Sequence, residues 1–239
     1  RPFFSGIFLE SKLETSAKFF KYVFSRFNTG LASLPNRGMQ SIPNDLFKKI
    51  DSKKVHFGKR VVKVGKEKDV YFEDGSSLKA DNLILTGEST GIVTGTVHQY
   101  NTTKTLYLSS KITPLKGKYI HLFPHDDIIN NIAVPTSISS SYSKNGEHLF
   151  SVTVLDNDMS KLDLIDIVQR KLAVYYGGEK SDYRSLKYLE IKKGTLKQVP
   201  GHFDSSIRND NGIIFSGESQ VNGSIEGAVI SGIDSANSI

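Results

Sequence analysis

Residues 214–218 read IFSGE and residues 223–229 read GSIEGAV, and these segments are the most informative part of the 239-residue chain. The first is typical of a buried strand and the second opens a helix of small residues, so the pattern predicts a strand, a polar loop and a helix. A helix N-terminus offers unpaired backbone N–H groups and the positive end of a dipole to an anion or a carbonyl oxygen. Gly217, Gly223 and Gly227 would let a ligand approach the backbone. An ordinary strand–turn–helix connection explains the same residues equally well.

The middle of the chain has the two-residue period of β-strands. Asp74-Gly75 is a strong hairpin signal, because glycine tolerates the positive φ that tight turns require. Strands are predicted at 55–57, 61–64, 70–72, 82–86, 105–108, 119–123, 131–135, 148–155, 188–192 and 212–216. Apolar residues at helical spacing predict helices at 15–27, 45–50 and 161–176. The order of elements favours the α+β class, with a mixed, largely antiparallel sheet of about six strands and flanking helices.

The strand-to-helix stretch resembles the carboxy-terminal FAD signature of the flavin amine oxidase superfamily. That superfamily includes monoamine oxidases, protoporphyrinogen oxidases and phytoene desaturase-like enzymes. The resemblance implies that Gly217 and Glu218 lie beside the cofactor phosphates and ribityl chain, and that the backbone N–H of Ile225 faces flavin O2. Ser224 and Gly227 belong to the same cofactor-binding motif.

Two further stretches are similar to the same family. Residues 59–64, KRVVKV, and the hairpin that follows resemble the segment in which a valine backbone pairs with the adenine, a position held here by Val61. Residues 34–50, LPNRGMQSIPNDLFKKI, resemble a phytoene desaturase-like loop near the flavin and the substrate, which contains Met39. A plain β-meander explains the first of these stretches as well.

The chain contains no GxGxxG motif, so the βαβ unit that grips the ADP pyrophosphate is missing from it. The resemblance implies the carboxy-terminal portion of a longer flavoprotein, or a protein that has lost its nucleotide-binding half; FAD binding by this chain alone is expected to be weak or absent. The predicted divisions are a helical segment of the substrate domain (1–54), part of the FAD-binding domain (55–90), a substrate-binding domain (91–205) and the carboxy-terminal FAD motif (206–239).

The expected function of the intact protein is FAD-dependent oxidation or desaturation of a small or hydrophobic organic substrate. Aromatic side chains on the predicted central sheet are candidates to line the substrate pocket with Met39, although core packing explains them equally well; they are Tyr107, Phe123, Tyr142 and Phe150. Flavin chemistry requires little acid–base machinery from the protein, so no catalytic residue is assigned. Two alternatives remain open: a non-catalytic module that binds an apolar ligand, and an interaction protein whose basic surface meets an acidic partner.

Composition excludes several other classes of function. The chain has no cysteine, which removes disulfides and thiolate sites and fits a reducing, cytoplasmic location. No apolar run approaches the roughly 18 residues of a membrane span. The net charge is +6, but basic residues occur along the whole chain, so we expect no nucleic-acid partner. His121, His125, Asp126 and Asp127 could ligate a metal, but Pro124 argues against a continuous helix, and a solvated loop is favoured.

Overall fold

The computed structural model describes residues 2–115, 117–155, 158–201, 209–210 and 212–239 of the chain. They form two compact units. The first, the sheet unit, comprises Arg1–Glu14, Leu31–Phe47 and Asn101–Gly194. The second, the junction unit, comprises Thr15–Gly30, Lys48–Tyr100 and Thr195–Ile239.

Helices and strands alternate irregularly along the described residues. The helices are α1 Pro2–Phe8, α2 Ala17–Thr29, α3 Ser41–Phe47, α4 Gly91–Thr94, α5 Lys161–Tyr176 and α6 Ile225–Asn237. The strands are β1 Val61–Val64, β2 Asp69–Phe72, β3 Ser77–Lys79, β4 Leu83–Thr86, β5 Tyr100–Ser110, β6 Ile120–Leu122, β7 Ile129–Ala133, β8 His148–Val154, β9 Arg184–Leu196, β10 Asn209–Asp210 and β11 Ile213–Ser216. This mixture of helices with largely antiparallel strands confirms the predicted fold class.

The sheet unit is built on five strands in the order β6-β7-β8-β5-β9. The pairs β6–β7, β7–β8 and β8–β5 are antiparallel. Because side chains alternate between the faces of a strand, Phe150 and its partner Leu108 share one face, while Tyr107 and its partner Ser151 share the other.

Helix α5 covers the Phe150 face and forms the main core of the chain. Its buried side chains recur every four residues, at Leu164, Val168 and Leu172. Each such side chain contributes about 1.5 to 3 kcal/mol when it is fully buried. The hydroxyl of Ser160 caps the helix by accepting the N–H of Asp163.

Asp126 organises the turn between β6 and β7. One carboxylate oxygen accepts the N–H groups of Ile128 and Ile129, both at 2.7 Å, and the other accepts Lys171 at 3.0 Å and the hydroxyl of Tyr175. Burial alone would raise the pKa of Asp126, but these hydrogen bonds, that of Tyr175 first, lower it below its ordinary value. The carboxylate is thus a structural anchor for α5.

The junction unit contains two three-stranded sheets. One has the order β1-β2-β3 and is antiparallel, with the predicted hairpin turn at Gly75, whose φ is +83°. The other has the order β10-β11-β4, in which β11 runs parallel to β4. Its core is formed by Leu85, Ile213 and Phe215.

Two details of the sequence-based prediction were wrong. The helix predicted at 45–50 spans Ser41–Phe47, because Pro43 is tolerated in a first helical turn. Residues 55–57 form no strand, since they follow a 3-10 turn at Ser52–Lys54 and lead to Gly58, whose φ is +72°. The largest sheet has five strands, close to the expected number of about six. Helix α1 at Pro2–Phe8 lies in a stretch for which the sequence analysis predicted no individual element.

Candidate functional site

The carboxyl ends of β4 and β11 lie side by side in the junction unit. Their parallel register pairs Thr86 with Ser216, the last residue of each strand. Ligands of open α/β sheets bind outside the carboxyl ends of parallel strands. This edge of the sheet is therefore the candidate binding site.

Gly217 follows β11 directly, at a crowded position whose backbone conformation favours glycine. Its φ is +108°, and a β-carbon there would stand 3.1 Å from both the backbone nitrogen of Gly87 and the hydroxyl oxygen of Thr86. The Gly217 N–H donates to the hydroxyl of Ser231 on α6 at 3.0 Å. The chain thus passes close to the end of β4 with no side chain at position 217.

The loop from Gly217 to α6 is held by a buried glutamine. The side-chain oxygen of Gln198 accepts the N–H of Gly223 at 3.1 Å, and its backbone oxygen accepts the N–H of Ser16 at 2.8 Å. The Gln198 side-chain nitrogen is buried and has no hydrogen-bond partner in the described part of the chain. Position 198 was missed by the sequence analysis, because no local pattern links it to residue 223.

Helix α6 begins at Ile225, where the sequence predicted a helix to start, and it has a side-chain cap. The Ser224 hydroxyl oxygen accepts the N–H of Gly227 at 2.9 Å and donates its proton to the side-chain oxygen of Asn222. The N–H groups of Ile225 and Glu226, the first two of the helix, have no intrahelical acceptor. This end of α6 therefore presents donors at the positive end of the helix dipole, and residue Ile225 is 58% exposed.

The carboxylate of Glu226 is bound by α2. Tyr22 donates its hydroxyl proton to one oxygen at 2.6 Å, and Arg26 donates to the other at 3.2 Å. A hydrogen bond with Tyr22, followed by the charge of Glu226, raises the pKa of Arg26. The negative charge in the first turn of α6 is therefore partly neutralised. The sequence alone did not predict this pairing, because it depends on where α2 lies in the fold.

Glu218 lies in the 3-10 turn after Gly217. Its side chain is half-buried, and burial raises the pKa of the carboxyl. No Lys or Arg lies within ion-pair distance of Glu218 among the described residues. A carboxyl in this environment holds its proton more readily than one in water.

Val61 begins β1, the outer strand of its sheet. It pairs with Phe72 of β2, and the register shifts between Val61 and Lys63. Because β1 is at the edge, one side of its backbone is not paired with another strand in the described residues. Such an edge leaves backbone donors and acceptors available to a flat ring.

The candidate substrate-pocket residues belong to the sheet unit, and the structure does not bring them together in one cavity. Met39 is exposed, and Tyr107 is partly buried on the opposite face from Phe150. Phe150 is fully buried, with its ring edge-on to Tyr176 and Tyr183. Phe150 therefore packs in the core, which is the alternative role that the sequence analysis gave for it.

The two other pocket candidates are partly buried. The Tyr142 hydroxyl donates to the backbone oxygen of Pro35 at 2.5 Å. The Phe123 ring lies 4.4 Å from that of Tyr175 and lines a cavity of about 280 Å³ beside Asn130. The substrate contacts of both residues stay predictions.

The residues considered for metal binding have other neighbours. His121 lies against the hydroxyl of Tyr176, and burial lowers the pKa of its imidazole. Asp126 is committed to its turn and to α5. The described residues contain no group of three or more His, Asp or Glu side chains arranged to hold a metal ion.

Comparison with protein families identifies the class of this chain. The sequence profile described as "Flavin containing amine oxidoreductase" matches residues 1–239. The chain belongs to this family, as its carboxy-terminal and central motifs predicted. No curated protein sequence matches it.

Solved structures share its fold. A reduced UDP-galactopyranose mutase aligns over 85% of this chain and 52% of its own, with a TM-score of 0.66 and 17% identity. A provisionally assigned protoporphyrinogen oxidase from Exiguobacterium aligns over 85% and 51%, with a TM-score of 0.64 and 14% identity. An oxidoreductase from Methanosarcina mazei aligns over 76% and 48%, with a TM-score of 0.54 and 13% identity. The chain thus spans about half the length of these structures.

None of the helices in the described ranges is both long and apolar enough to cross a bilayer.

Proposed function

We propose that this chain is the carboxy-terminal portion of an FAD-dependent oxidoreductase of the phytoene desaturase-like type. The proposed reaction is oxidation or desaturation of a small or hydrophobic organic substrate. The observation that carries the proposal is that Gly217, which has no side chain, lies at the carboxyl ends of two parallel strands, in the same loop that leads to the capped N-terminus of α6. Family membership over all 239 residues supports the flavin.

The residues of the junction unit suit a flavin dinucleotide. We assign the backbone at Gly217 and the side chain of Glu218 to the phosphate and ribityl groups, and the edge of β1 at Val61 to the adenine. The glycine at position 217 supports this fit, because its φ of +108° favours glycine and no side chain there stands between the loop and a group bound at this edge. The N–H of Ile225, with Ser224 and Gly227 holding the helix start, is assigned to flavin O2.

When bound, FAD supplies the hydride acceptor. The protein residues have the remaining tasks of binding, orientation and exclusion of water. The α6 dipole and the Ile225 N–H favour negative charge beside them. Glu218 is assigned the role of a hydrogen-bonding group that need not carry a full charge, since its pKa is raised.

The substrate is assigned to the sheet unit, with Met39, Tyr107, Phe123 and Tyr142 as candidate contacts. The location we propose is cytoplasmic, in keeping with the absence of cysteine from the sequence. A nucleotide-binding Rossmann half is proposed for the remaining length of the fold, which this chain does not cover.

Absorbance spectroscopy tests the proposal directly. The product of the complete gene should purify with flavin absorbance bands, or acquire them when FAD is added. The 239-residue chain alone should show FAD binding weaker than micromolar in a calorimetric titration, because it lacks a glycine-rich pyrophosphate turn. A complete protein that stays colourless with excess FAD would contradict the flavoenzyme assignment. Submicromolar FAD binding by this chain would contradict the expected weakness.

A further inference from the structure

Glu226 places a negative charge at the end of α6 that the proposed function assigns to the flavin. It is the acidic residue of the first helical turn and follows Ile225 directly. A carboxylate at such a position stabilises a helix, because it lies at the positive end of the helix dipole. The same positive end is proposed to favour the negative charge of the reduced flavin. Two negative charges would then share one helix end, and like charges repel.

Two side chains of α2 bind the Glu226 carboxylate. Tyr22 donates its hydroxyl proton to one oxygen at 2.6 Å, and Arg26 donates to the other at 3.2 Å. Tyr22 and Arg26 are four positions apart on α2, so they are neighbours on one face of the helix. The Arg26 guanidinium lies 4.9 Å from the centre of the Tyr22 ring, within the range of a cation–π contact. Tyr22 therefore orients both the carboxylate and the cation.

One buried residue ties the start of α2 to the loop before α6. The backbone oxygen of Gln198 accepts the N–H of Ser16, the N-cap of α2, at 2.8 Å. The side-chain oxygen of the same Gln198 accepts the N–H of Gly223 at 3.1 Å. Gln198 is 4% exposed, so both bonds lie in an environment of low dielectric, where hydrogen bonds are stronger than in water. The fold itself therefore brings Arg26 to Glu226.

The Arg26–Glu226 pair contributes charge balance more than folding stability. The two side chains are 55% and 49% exposed, and ion pairs of this kind add little to the free energy of unfolding. Their charges are opposite and equal, so together they add no net charge at the start of α6. The helix dipole and the Ile225 N–H can then act on a bound anionic group without a competing carboxylate charge.

We propose that Arg26 is a positioning residue that acts on the flavin through Glu226. It neutralises the carboxylate, so that the N-terminus of α6 stabilises negative charge on the reduced flavin, and Tyr22 holds the pair in place. The inference rests on the proposed function and deepens it, because it names residues outside the carboxy-terminal motif that set the reduction potential.

The reduction potential of the complete, FAD-loaded protein tests this role. Arg26→Gln leaves the Glu226 charge unpaired and should lower the two-electron potential, because an unpaired carboxylate disfavours the reduced flavin. Glu226→Gln leaves the Arg26 charge unpaired and should raise the potential. Each change should alter the equilibrium constant of flavin reduction about two- to fivefold, which corresponds to about 9 to 21 mV. Spectroelectrochemical titration measures these shifts.

Three further variants separate charge from structure. The combined variant Arg26→Gln, Glu226→Gln is neutral again and should return to the wild-type potential. Arg26→Lys keeps the cation and should also keep the potential. Tyr22→Phe keeps the ion pair but removes one hydrogen bond to the carboxylate, so its potential should lie between those of the wild type and Arg26→Gln. A purely structural contact would be lost in both single variants and in the combined variant, so all three would shift in the same direction.

A second ion pair of the junction unit provides the matched control. Lys79 on β3 contacts Glu67 at 2.7 Å. Lys79→Gln removes one positive charge and leaves one carboxylate unpaired, as Arg26→Gln does, but away from the first turn of α6. The potential of Lys79→Gln should equal that of the wild type. An equal fall in Lys79→Gln and Arg26→Gln would attribute the effect to total charge and overturn the inference.

Circular dichroism and flavin absorbance check that each variant is folded and loaded. Shifts of the same sign in Arg26→Gln and Glu226→Gln, or unchanged potentials in both, would overturn the inference and leave the flavin assignment intact. A complete protein that binds no FAD would overturn the proposed function together with the inference. If Arg26→Gln does not fold, Glu226→Gln and Arg26→Lys decide the question: the first must raise the potential and the second must leave it at the wild-type value.

Discussion

Gly227 lies so close to Asn222 that a β-carbon at position 227 would stand 2.3 Å from the Asn222 backbone oxygen. The Asn222 side-chain oxygen would be 2.8 Å away. Both distances are below any ordinary contact, and a backbone atom cannot turn aside as a flexible side chain does. The glycine is therefore needed for the loop to close over the first turn of α6.

The first prediction is that Gly227→Ala destabilises the chain by about 1 to 3 kcal/mol, the usual cost of forcing extra atoms into a packed site. Chemical denaturation measures the free energy of unfolding. Gly232→Ala is the matched control, because Gly232 lies on the same helix with no atom within 4 Å of the added carbon. That control should gain about 0.5 to 1 kcal/mol from alanine's better helix propensity. Equal effects at both positions would contradict the crowding at residue 227.

The second prediction concerns Asp126, whose side chain is 1% exposed. Asp126→Asn should cost about 2 to 4 kcal/mol, because Lys171 loses a buried charge partner and Tyr175 loses an acceptor. The pKa of Asp126 is lower in the folded state than in the unfolded state, so the carboxylate stabilises the fold above its unfolded pKa of about 3.9. This stabilisation is lost as the pH falls through the folded-state pKa. The difference between wild type and variant should shrink below about pH 4.

Asp127 provides the control for this prediction. It also contacts Lys171 at 3.0 Å, but its side chain is 83% exposed. Asp127→Asn should therefore change the free energy of unfolding by less than about 1 kcal/mol. A loss at Asp127 as large as that at Asp126 would show that burial is not the cause.

Local signals predicted some elements well. The helix predicted at 161–176 is observed at Lys161–Tyr176, because Ser160 supplies a cap, the apolar spacing is regular and Gly177 ends the helix with a φ of +90°. The start of α6 was also predicted, since Ser224 before a run of small residues is a local capping signal.

Long-range relationships could not be predicted from the residues alone. The parallel pairing of β4 with β11 joins segments about 130 positions apart, and no periodicity within either strand encodes the partner. The contacts of Glu226 with Tyr22 and of Gly223 with Gln198 depend on the same tertiary arrangement. The sequence motif thus indicated where the candidate site lies. The residues that hold the motif in place, such as Gln198 and Tyr22, could be identified only from the folded chain.

The third prediction concerns Glu218. Because burial raises its folded-state pKa, the neutral carboxyl is favoured in the fold, and stability falls as pH rises from about 4.3 through the folded value. Glu218→Gln should therefore stabilise the chain at neutral pH, by the order of 1 kcal/mol or less, with no gain below about pH 4. Thermal unfolding across pH measures this. The exposed Glu73→Gln is the control and should change the free energy of unfolding at neutral pH by less than about 0.5 kcal/mol. A gain at Glu218 that is the same at every pH would refute the titration of Glu218.

The last prediction depends on the proposed flavin site and concerns the first residue of α6. Ile225 occupies the first helical position, and the backbone of Ser224 before it is extended, with φ −141° and ψ 162°. Proline is accepted at such a position after an extended residue, so Ile225→Pro should remove one N–H and leave the helix intact.

If that N–H faces flavin O2, its loss should destabilise the reduced flavin, whose negative charge develops on N1 and O2. In the complete, FAD-loaded protein we expect Ile225→Pro to lower the two-electron reduction potential by about 20 to 40 mV, which corresponds to about 1 to 2 kcal/mol for one charge-assisted hydrogen bond. Flavin reduction by substrate should slow accordingly. Ile225→Ala removes the same exposed side chain but keeps the donor, so its potential should stay at the wild-type value. Spectroelectrochemical titration of the wild type and the two variants measures the difference. An unchanged potential in the folded, FAD-loaded Ile225→Pro variant would show that the Ile225 N–H is not part of the cofactor site. The family membership of the chain would not be affected by that result.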